Sequence, residues 1–180
     1  MKKLAAILTF TLIVAIGGGC SVPDQPGAAA DSGVMQPLGD APQFDLEKIG
    51  GGTINSEDLK GKVVVVDFWA TWCQPCIQEI PNYNKMVEEN AGKDVEMFGV
   101  TFQSGDIDEV TPKVAEFGIK YPVVMGTDQV DEGFGGFIGL PTTFLIGKDW
   151  KVYKKYLGLT SKKKETLDRD IKALLEQTGD

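Results

Sequence analysis

Four consecutive valines at positions 63–66 constrain the fold more than any other feature of the 180-residue chain. They belong to the segment 62–69, which begins with Lys62 and ends in Phe68 and Trp69. An uninterrupted run of β-branched residues is typical of a strand that is buried on both faces. Such a strand lies in the middle of a sheet that helices cover on either side. The run therefore predicts an α/β fold with residues 62–69 as a central strand.

Strands and helices alternate around this central strand. A short hairpin, 43–54, turns at the glycines of positions 50–52, and Ser56 caps a single helical turn behind it. The alternation predicts a central mixed sheet with helices on both faces. The later segments, in chain order, are a helix at 75–89, a strand at 95–102, a helix at 106–117, strands at 122–125, 142–146 and 151–157, and a helix at 161–176.

Three segments have simple structural interpretations. The glycines between positions 133 and 139 do not fit dinucleotide-binding spacing and are interpreted as turns. The lysines at 162–164 are predicted to lie on a solvated helix surface. The buried face of the helix at 75–89 is predicted from apolar spacing to run through Ile77, Ile80, Asn84 and Val87.

Composition excludes several classes of function. The chain has a formal net charge of −8, and such a surface repels phosphate backbones, so no nucleic-acid partner is expected. Histidine is absent from the sequence, which excludes Ser-His-Asp hydrolysis, Cys-His proteolysis and His-ligated zinc. Three cysteines are too few for a disulfide-stapled scaffold or a four-cysteine zinc site.

The N-terminus has the pattern of an export signal. Two lysines precede a short uncharged apolar run, and three glycines lead to Cys20. Residues 1–19 are therefore predicted to be a signal peptide, and they resemble a bacterial lipoprotein signal in which Cys20 carries the lipid. Plain cleavage nearby, which would leave Cys20 as a free thiol, is the alternative. Residues 20–41 are predicted to be a flexible tether to the membrane, and residues 42–180 the folded domain outside the cytoplasm.

The chemistry of the chain is expected at Cys73 and Cys76. These residues follow the buried strand directly and open a helix, where unpaired N–H groups and the helix dipole favour a thiolate. Cys73 is expected to be the exposed attacking thiol and Cys76 the more buried resolving thiol. Pro75 presets the first helical turn. Half of a zinc site and an inert structural disulfide are the alternatives.

The segment 64–76 resembles the active-site strand and turn of thioredoxins. Ala41-Pro42-Gln43-Phe44, the motif at 58–62, Glu79-Ile80-Pro81 and the motif at 139–146 together resemble the TlpA-like (ResA-type) thiol-disulfide oxidoreductases. The resemblance covers nearly all of residues 41–176. It implies a thioredoxin fold with an N-terminal hairpin and an insertion after the second core strand, around 102–117.

The same resemblance implies further site residues. Pro141 matches a cis-proline that faces the disulfide, and the backbone of Leu140 would then pair with an extended substrate segment. Glu79 matches an acidic residue that is typical of the TlpA-like branch, and Asp67 matches the buried aspartate of thioredoxins. Either acid is a candidate proton acceptor for Cys76, and the choice stays open. Trp72, Gln74 and Pro75 are expected to shape the surface that contacts the substrate.

By resemblance, the chain is expected to exchange disulfides with protein partners as a reductant, for example of apocytochrome c thiols before haem attachment. A membrane electron donor would reduce it again, and no bound cofactor or metal is expected. The alternatives are a thiol peroxidase and a copper-handling module of the same fold.

Overall fold

The computed structural model describes residues 35–136 and 139–177. The predicted signal peptide, Cys20 and the tether as far as residue 34 lie outside the described residues. Of the tether predicted at 20–41, only its last seven residues are therefore described.

A six-stranded mixed sheet forms the centre of the domain. Its strands lie in the order β1-β8-β7-β4-β5-β6, and β4 pairs parallel with β5 and antiparallel with β7. The predicted fold class, a mixed sheet between helices, is confirmed. The strands are β1 Gly39–Asp40, β4 Val63–Trp69, β5 Val95–Thr101, β6 Val123–Met125, β7 Thr142–Ile146 and β8 Lys151–Leu157, with β2 Asp45–Glu47 and β3 Thr53–Asn55 forming a separate hairpin.

Every residue of β4 is buried, as the valine run predicts. Successive side chains of a strand point to opposite faces of the sheet. Val64, Val66 and Phe68 enter one apolar cluster, whereas Val63 and Val65 enter a second cluster on the other face. Asp67 continues the second series by alternation, so β4 places a buried carboxyl group on that face of the sheet.

The described part of the chain contains four helices: α1 Gln74–Glu89, α2 Ile107–Glu116, α3 Asp128–Gly133 and α4 Lys163–Glu176. Three of them, α1, α2 and α4, match predicted helices. The segment expected as an insertion contains α2, whose N-terminus is closed by a reciprocal capping box between Asp106 and Glu109. α3 was not predicted, because its glycine-rich end was interpreted as a turn.

The buried face of α1 differs from the predicted one. Ile80 is buried as expected, but Ile77, Asn84 and Val87 are only half-buried. The difference arises because polar side chains on this helix are buried in a hydrogen-bonded cluster rather than exposed. The buried residues of α1 are Cys76, Glu79, Ile80, Tyr83 and Met86.

The N-terminal hairpin forms as predicted, and positive φ angles of 81–101° at the glycines of positions 50–52 make its tight turn. The short 3-10 turn Ser56–Leu59 follows, but its cap is Asn55, whose side chain accepts from the backbone of Glu57. Ser56 is buried instead and accepts from the backbone N–H of Phe44. The prediction of a Ser56 cap is therefore wrong by one residue.

The N-terminal segment covers both edges of the sheet. Gly39 and Asp40, which the sequence assigns to the tether, pair with β8 as the outer strand β1. At the opposite edge, the backbone of Ile49 donates to Val123 of β6, and Lys48 bridges to Val124. The ordered part of the domain thus extends further towards the N-terminus than the expected start at residue 42.

Within residues 35–136 and 139–177, no helix is both long enough and apolar enough to cross a lipid bilayer.

Candidate active site

A disulfide bond joins Cys73 and Cys76 at the start of α1. The sulfur atoms are 2.02 Å apart and the Cα atoms 5.3 Å apart. Cys73 is the N-cap of the helix, and its sulfur accepts from the backbone N–H of Cys76 at 3.3 Å. Pro75 lies in the first turn, where its missing N–H costs no helical hydrogen bond. The two sulfurs therefore lie where unpaired backbone N–H groups would stabilise a thiolate.

Both cysteines are more buried than the sequence suggests. Cys73 has 5% of its surface exposed and Cys76 has 1%, so the expected order holds, but Cys73 is not an exposed residue in the disulfide form. The pair packs in an apolar cluster with Trp69, Ala70 and Val123. Of the two cysteines, Cys73 is the more accessible to a partner.

The loop before the disulfide forms the exposed surface next to it. Trp72 is 58% exposed, and its indole N–H donates to the backbone oxygen of Gln103 at 2.8 Å. Gln74 and Pro75 are exposed as well. The residues expected to shape the contact surface thus lie together around the disulfide, and Trp72 is held in place by a hydrogen bond.

The Leu140–Pro141 peptide bond is cis, as the resemblance implies for this position. Leu140 packs against the cluster that contains both cysteines. Leu140 and the exposed side chain of Leu157 line a groove of about 150 Å³. The remaining lining residues are Gly139, Pro141, Thr142 and Gly158.

Asp67 is buried on the face of β4 that also carries Val63 and Val65 and that α1 and α4 cover. Thr143 is directly opposite on β7, and its hydroxyl donates to Asp67 Oδ1 at 2.8 Å. The Tyr83 hydroxyl donates to the same oxygen at 3.1 Å. Burial raises the pKa of Asp67 from 3.8 to about 7, and these hydrogen bonds and the nearby Lys163 only partly oppose it. This carboxyl therefore titrates near neutral pH.

Glu79 is also buried, but it has a cationic partner. Its Oε2 accepts from the ammonium of Lys163 at 2.7 Å, and both side chains are less than 5% exposed. Burial raises the pKa of Glu79, and the hydrogen bond and charge of Lys163 act in the opposite direction. The prediction that Lys163 lies on a solvated surface is therefore wrong, because this lysine is half of a buried ion pair.

Tyr83 joins the two acids into one cluster. Its hydroxyl lies 3.1 Å from Asp67 Oδ1, 3.3 Å from Glu79 Oε2 and 2.8 Å from Thr143 Oγ1. Tyr83, Thr143 and Lys163 are site residues that the sequence did not predict. One signal was available for Tyr83, since its positions relative to Cys76 and Glu79, seven and four residues later, place all three on one face of a helix.

Among the described residues, no group of three or more cysteine, aspartate or glutamate side chains comes together as a possible metal site. Cys20, the predicted lipidation site, lies outside the described residues. The other predicted site residues lie next to the disulfide or belong to the buried cluster of Asp67, Glu79 and Tyr83.

The comparisons with known proteins agree with this geometry. The sequence model of the AhpC/TSA family matches residues 38–155. "Thiol-disulfide oxidoreductase ResA" of Bacillus thuringiensis (strain Al Hakam) is 34% identical over 174 residues, 97% of this chain and 99% of that protein. ResA of Bacillus subtilis (strain 168) is 38% identical over 119 residues, 66% of each chain. A solved thiol:disulfide interchange protein of the thioredoxin family from Chlorobium tepidum TLS aligns with a TM-score of 0.69 at 32% identity, over 78% of this chain and 97% of that one.

Proposed function

The chain belongs to the AhpC/TSA family and, with the ResA proteins, to the thiol-disulfide oxidoreductases of thioredoxin fold, and we propose that it reduces protein disulfides outside the cytoplasm through Cys73 and Cys76. The observation that carries the proposal is the disulfide at the N-terminus of α1. A three-residue separation closes too small a loop to stabilise a fold by much, so a structural role explains the bond poorly. A helix start that favours the thiolate suits a bond that opens and closes.

In the reaction, the Cys73 thiolate attacks one sulfur of the substrate disulfide, and the other substrate sulfur leaves as a thiolate. Cys76 then loses its proton and attacks Cys73 Sγ in the mixed disulfide. The second substrate sulfur leaves as a thiolate, and the Cys73–Cys76 disulfide forms. Two electrons pass to the substrate, and a membrane electron donor would have to return them.

A buried base must accept the proton of Cys76, because Cys76 is closed off from water. Asp67 and Glu79 are the two candidates. Glu79 already forms an ion pair, whereas the pKa of Asp67, raised by burial to about 7, suits a group that exchanges a proton near neutral pH. We therefore assign Asp67 as the proton acceptor and Glu79 as a group whose charge raises the pKa of Asp67.

The groove at Leu140 and Pro141 is the proposed substrate site. Leu140 contacts the cluster of the disulfide, and an extended segment of a partner protein would lie along its backbone. The exposed side chains of Trp72 and Leu157 would make apolar contacts on either side. Such a groove suits a disulfide in an unfolded or extended protein segment, such as one in an apocytochrome c.

The first test is a direct assay of the reaction. The reduced full chain should reduce the disulfides of insulin at a rate that depends on Cys73, whereas hydrogen peroxide should not be consumed catalytically. Catalytic peroxide consumption without insulin reduction would instead indicate a thiol peroxidase. Tight copper binding by the reduced pair would indicate a copper-handling module.

The reduction potential of the Cys73–Cys76 pair tests the direction of electron flow. A value near the reducing end of the range for Cys-x-x-Cys proteins, about −270 mV, would support a reductant.

We further propose that a lipid on Cys20 holds the domain at the outer side of a bacterial membrane. The sequence of the first 20 residues supports this proposal. Cys20→Ser is expected to move the protein from the membrane fraction to the soluble exported fraction, since the lipid would be its anchor. Fractionation with immunoblotting measures the change, and insulin reduction by the purified variant should equal that of the wild type. A variant that stays with the membrane would contradict the lipid anchor.

A further inference from the structure

Lys163 is an unusual residue for its position. It is the first residue of α4, where the helix dipole disfavours a positive charge, and the helix has no side-chain cap. Its side chain nevertheless turns inward, and its ammonium donates to Glu79 Oε2 at 2.7 Å and to the backbone oxygen of Gly158 at 3.3 Å. A buried ammonium is costly unless it is paired, so the pairing with Glu79 determines where this side chain lies.

The charges in the cluster do not balance. Two carboxylates, Asp67 and Glu79, share the buried space with the single cation Lys163. Only Glu79 is in contact with that cation, whereas the hydrogen-bond partners of Asp67 among the described residues are the hydroxyls of Tyr83 and Thr143. A buried anion with hydroxyl partners alone is less stable than one that is ion-paired. Asp67 is consequently the carboxyl that holds a proton more readily.

The hydrogen atoms available in the cluster support the same assignment. Tyr83 and Thr143 contribute one hydroxyl hydrogen each. Four oxygen–oxygen contacts of 2.8–3.3 Å connect these hydroxyls with Asp67 and Glu79. Two hydrogens can occupy only two of the four contacts. A proton on Asp67 would supply a third hydrogen, whereas Glu79 already accepts from Lys163.

We propose that Lys163 is a positioning residue of the redox site: its ion pair keeps Glu79 as an anion, so that the proton released by Cys76 goes to Asp67. This role of Lys163 rests on the thiol-disulfide exchange proposed above. Lys163 is the residue that makes Asp67, rather than Glu79, the proton acceptor. Lys163 itself contacts Glu79 and not the disulfide. Its influence on the proton acceptor is therefore electrostatic and passes through the buried cluster.

The groups that face Asp67 fix the sign of the expected effects. They are Thr143 on β7, Glu79 and Tyr83 on α1, Lys163 on α4 and, ahead of β6, Tyr121. Lys163 lowers the pKa of Asp67, and Glu79 raises it by a smaller amount. Removing the lysine should therefore raise the pH at which Asp67 titrates, whereas removing the charge of Glu79 alone should lower it.

The test is an infrared titration of the protonated-carboxyl band in the oxidised full chain. Asp67→Asn should abolish the band that titrates near neutral pH. Lys163→Met should move its midpoint upward by about one pH unit, and Glu79→Gln should move it downward. Lys164→Met is the matched control, because Lys164 pairs with Glu89 and Asp168 at the surface. It should leave the midpoint in place.

The proposal would be overturned if the midpoint were unchanged in both Lys163→Met and Glu79→Gln. It would also be overturned if the neutral-pH band disappeared in Glu79→Gln but remained in Asp67→Asn. Lys163→Met leaves a buried carboxylate unpaired and can fail to fold. The double variant Lys163→Met with Glu79→Gln removes both charges, and its midpoint should lie above that of Glu79→Gln alone. The titration needs no substrate, so its outcome is distinct from that of the insulin assay.

Discussion

Replacing Cys73 with serine is expected to lower the rate of insulin reduction at least about a thousandfold, because without this thiolate no mixed disulfide can form. Replacing Cys76 is expected to abolish turnover too, but by a different route. Cys76→Ser keeps the attacking thiol and loses the resolving one, so the reaction stops at the mixed disulfide. The two variants are therefore matched controls for each other.

Non-reducing gels of cells that express each variant distinguish these routes. Cys76→Ser should accumulate covalent adducts with partner proteins, and reducing agent should release them, whereas Cys73→Ser should accumulate few. Cys20→Ser, which alters a cysteine outside the proposed pair, should turn over at the wild-type rate. Adducts that accumulate mainly in Cys73→Ser would reverse the assignment of attacking and resolving thiols.

Asp67→Asn is expected to make the oxidised protein more stable at pH 8 by about 2–4 kcal/mol. Burial raises the pKa of this carboxyl from 3.8 to about 7, so between these pH values the native state holds a proton that the unfolded state has released. The free energy of unfolding of the wild type must therefore fall as the pH rises through this window, by about 1.4 kcal/mol per unit. Asparagine keeps an oxygen that can accept from Thr143 and has no charge to bury.

Urea unfolding of the oxidised wild type and variant at pH 4, 6 and 8 measures this effect. The difference between them should be small at pH 4 and largest at pH 8. Asp170→Asn is a suitable control, because Asp170 is also buried but is bound to Arg169 and Tyr156. That variant should lose stability rather than gain it. If the stability of Asp67→Asn followed that of the wild type in parallel across this pH range, burial would not raise the pKa of Asp67.

The sheet and the site loop could be predicted from the sequence because their signals are local. The valine run predicts the central strand, the two cysteines after it predict the redox site, and apolar spacing predicts the helices that correspond to α1 and α4. The short helix Asp128–Gly133 was missed because six residues carry little periodicity, and the glycines that begin at its last residue resemble a turn. Each correct element was thus determined by residues that are close together in the chain.

The buried cluster could not be predicted in full because its partners are distant in sequence. Lys163 lies 84 residues from Glu79, and Thr143 lies 76 residues from Asp67. A lysine between two other lysines has the local pattern of a solvated helix surface, and only the packing of α4 against α1 places it inside. The same packing explains why the buried face of α1 includes Glu79 and Tyr83.

The strand Gly39–Asp40 and the contact of Ile49 with β6 also affect how the protein behaves in concentrated solution. An open sheet edge presents unpaired N–H and C=O groups to which another chain can add a strand. One continuous stretch of this protein, residues 38–49, closes both edges, with the backbones of Leu38 and Ala41 bonded to Val152 and Trp150 on one side. A chain trimmed to residue 42 would keep its disulfide chemistry but expose the edge of β8 to self-association. The end of the segment that was predicted to be a flexible tether thus also protects the sheet edge from self-association.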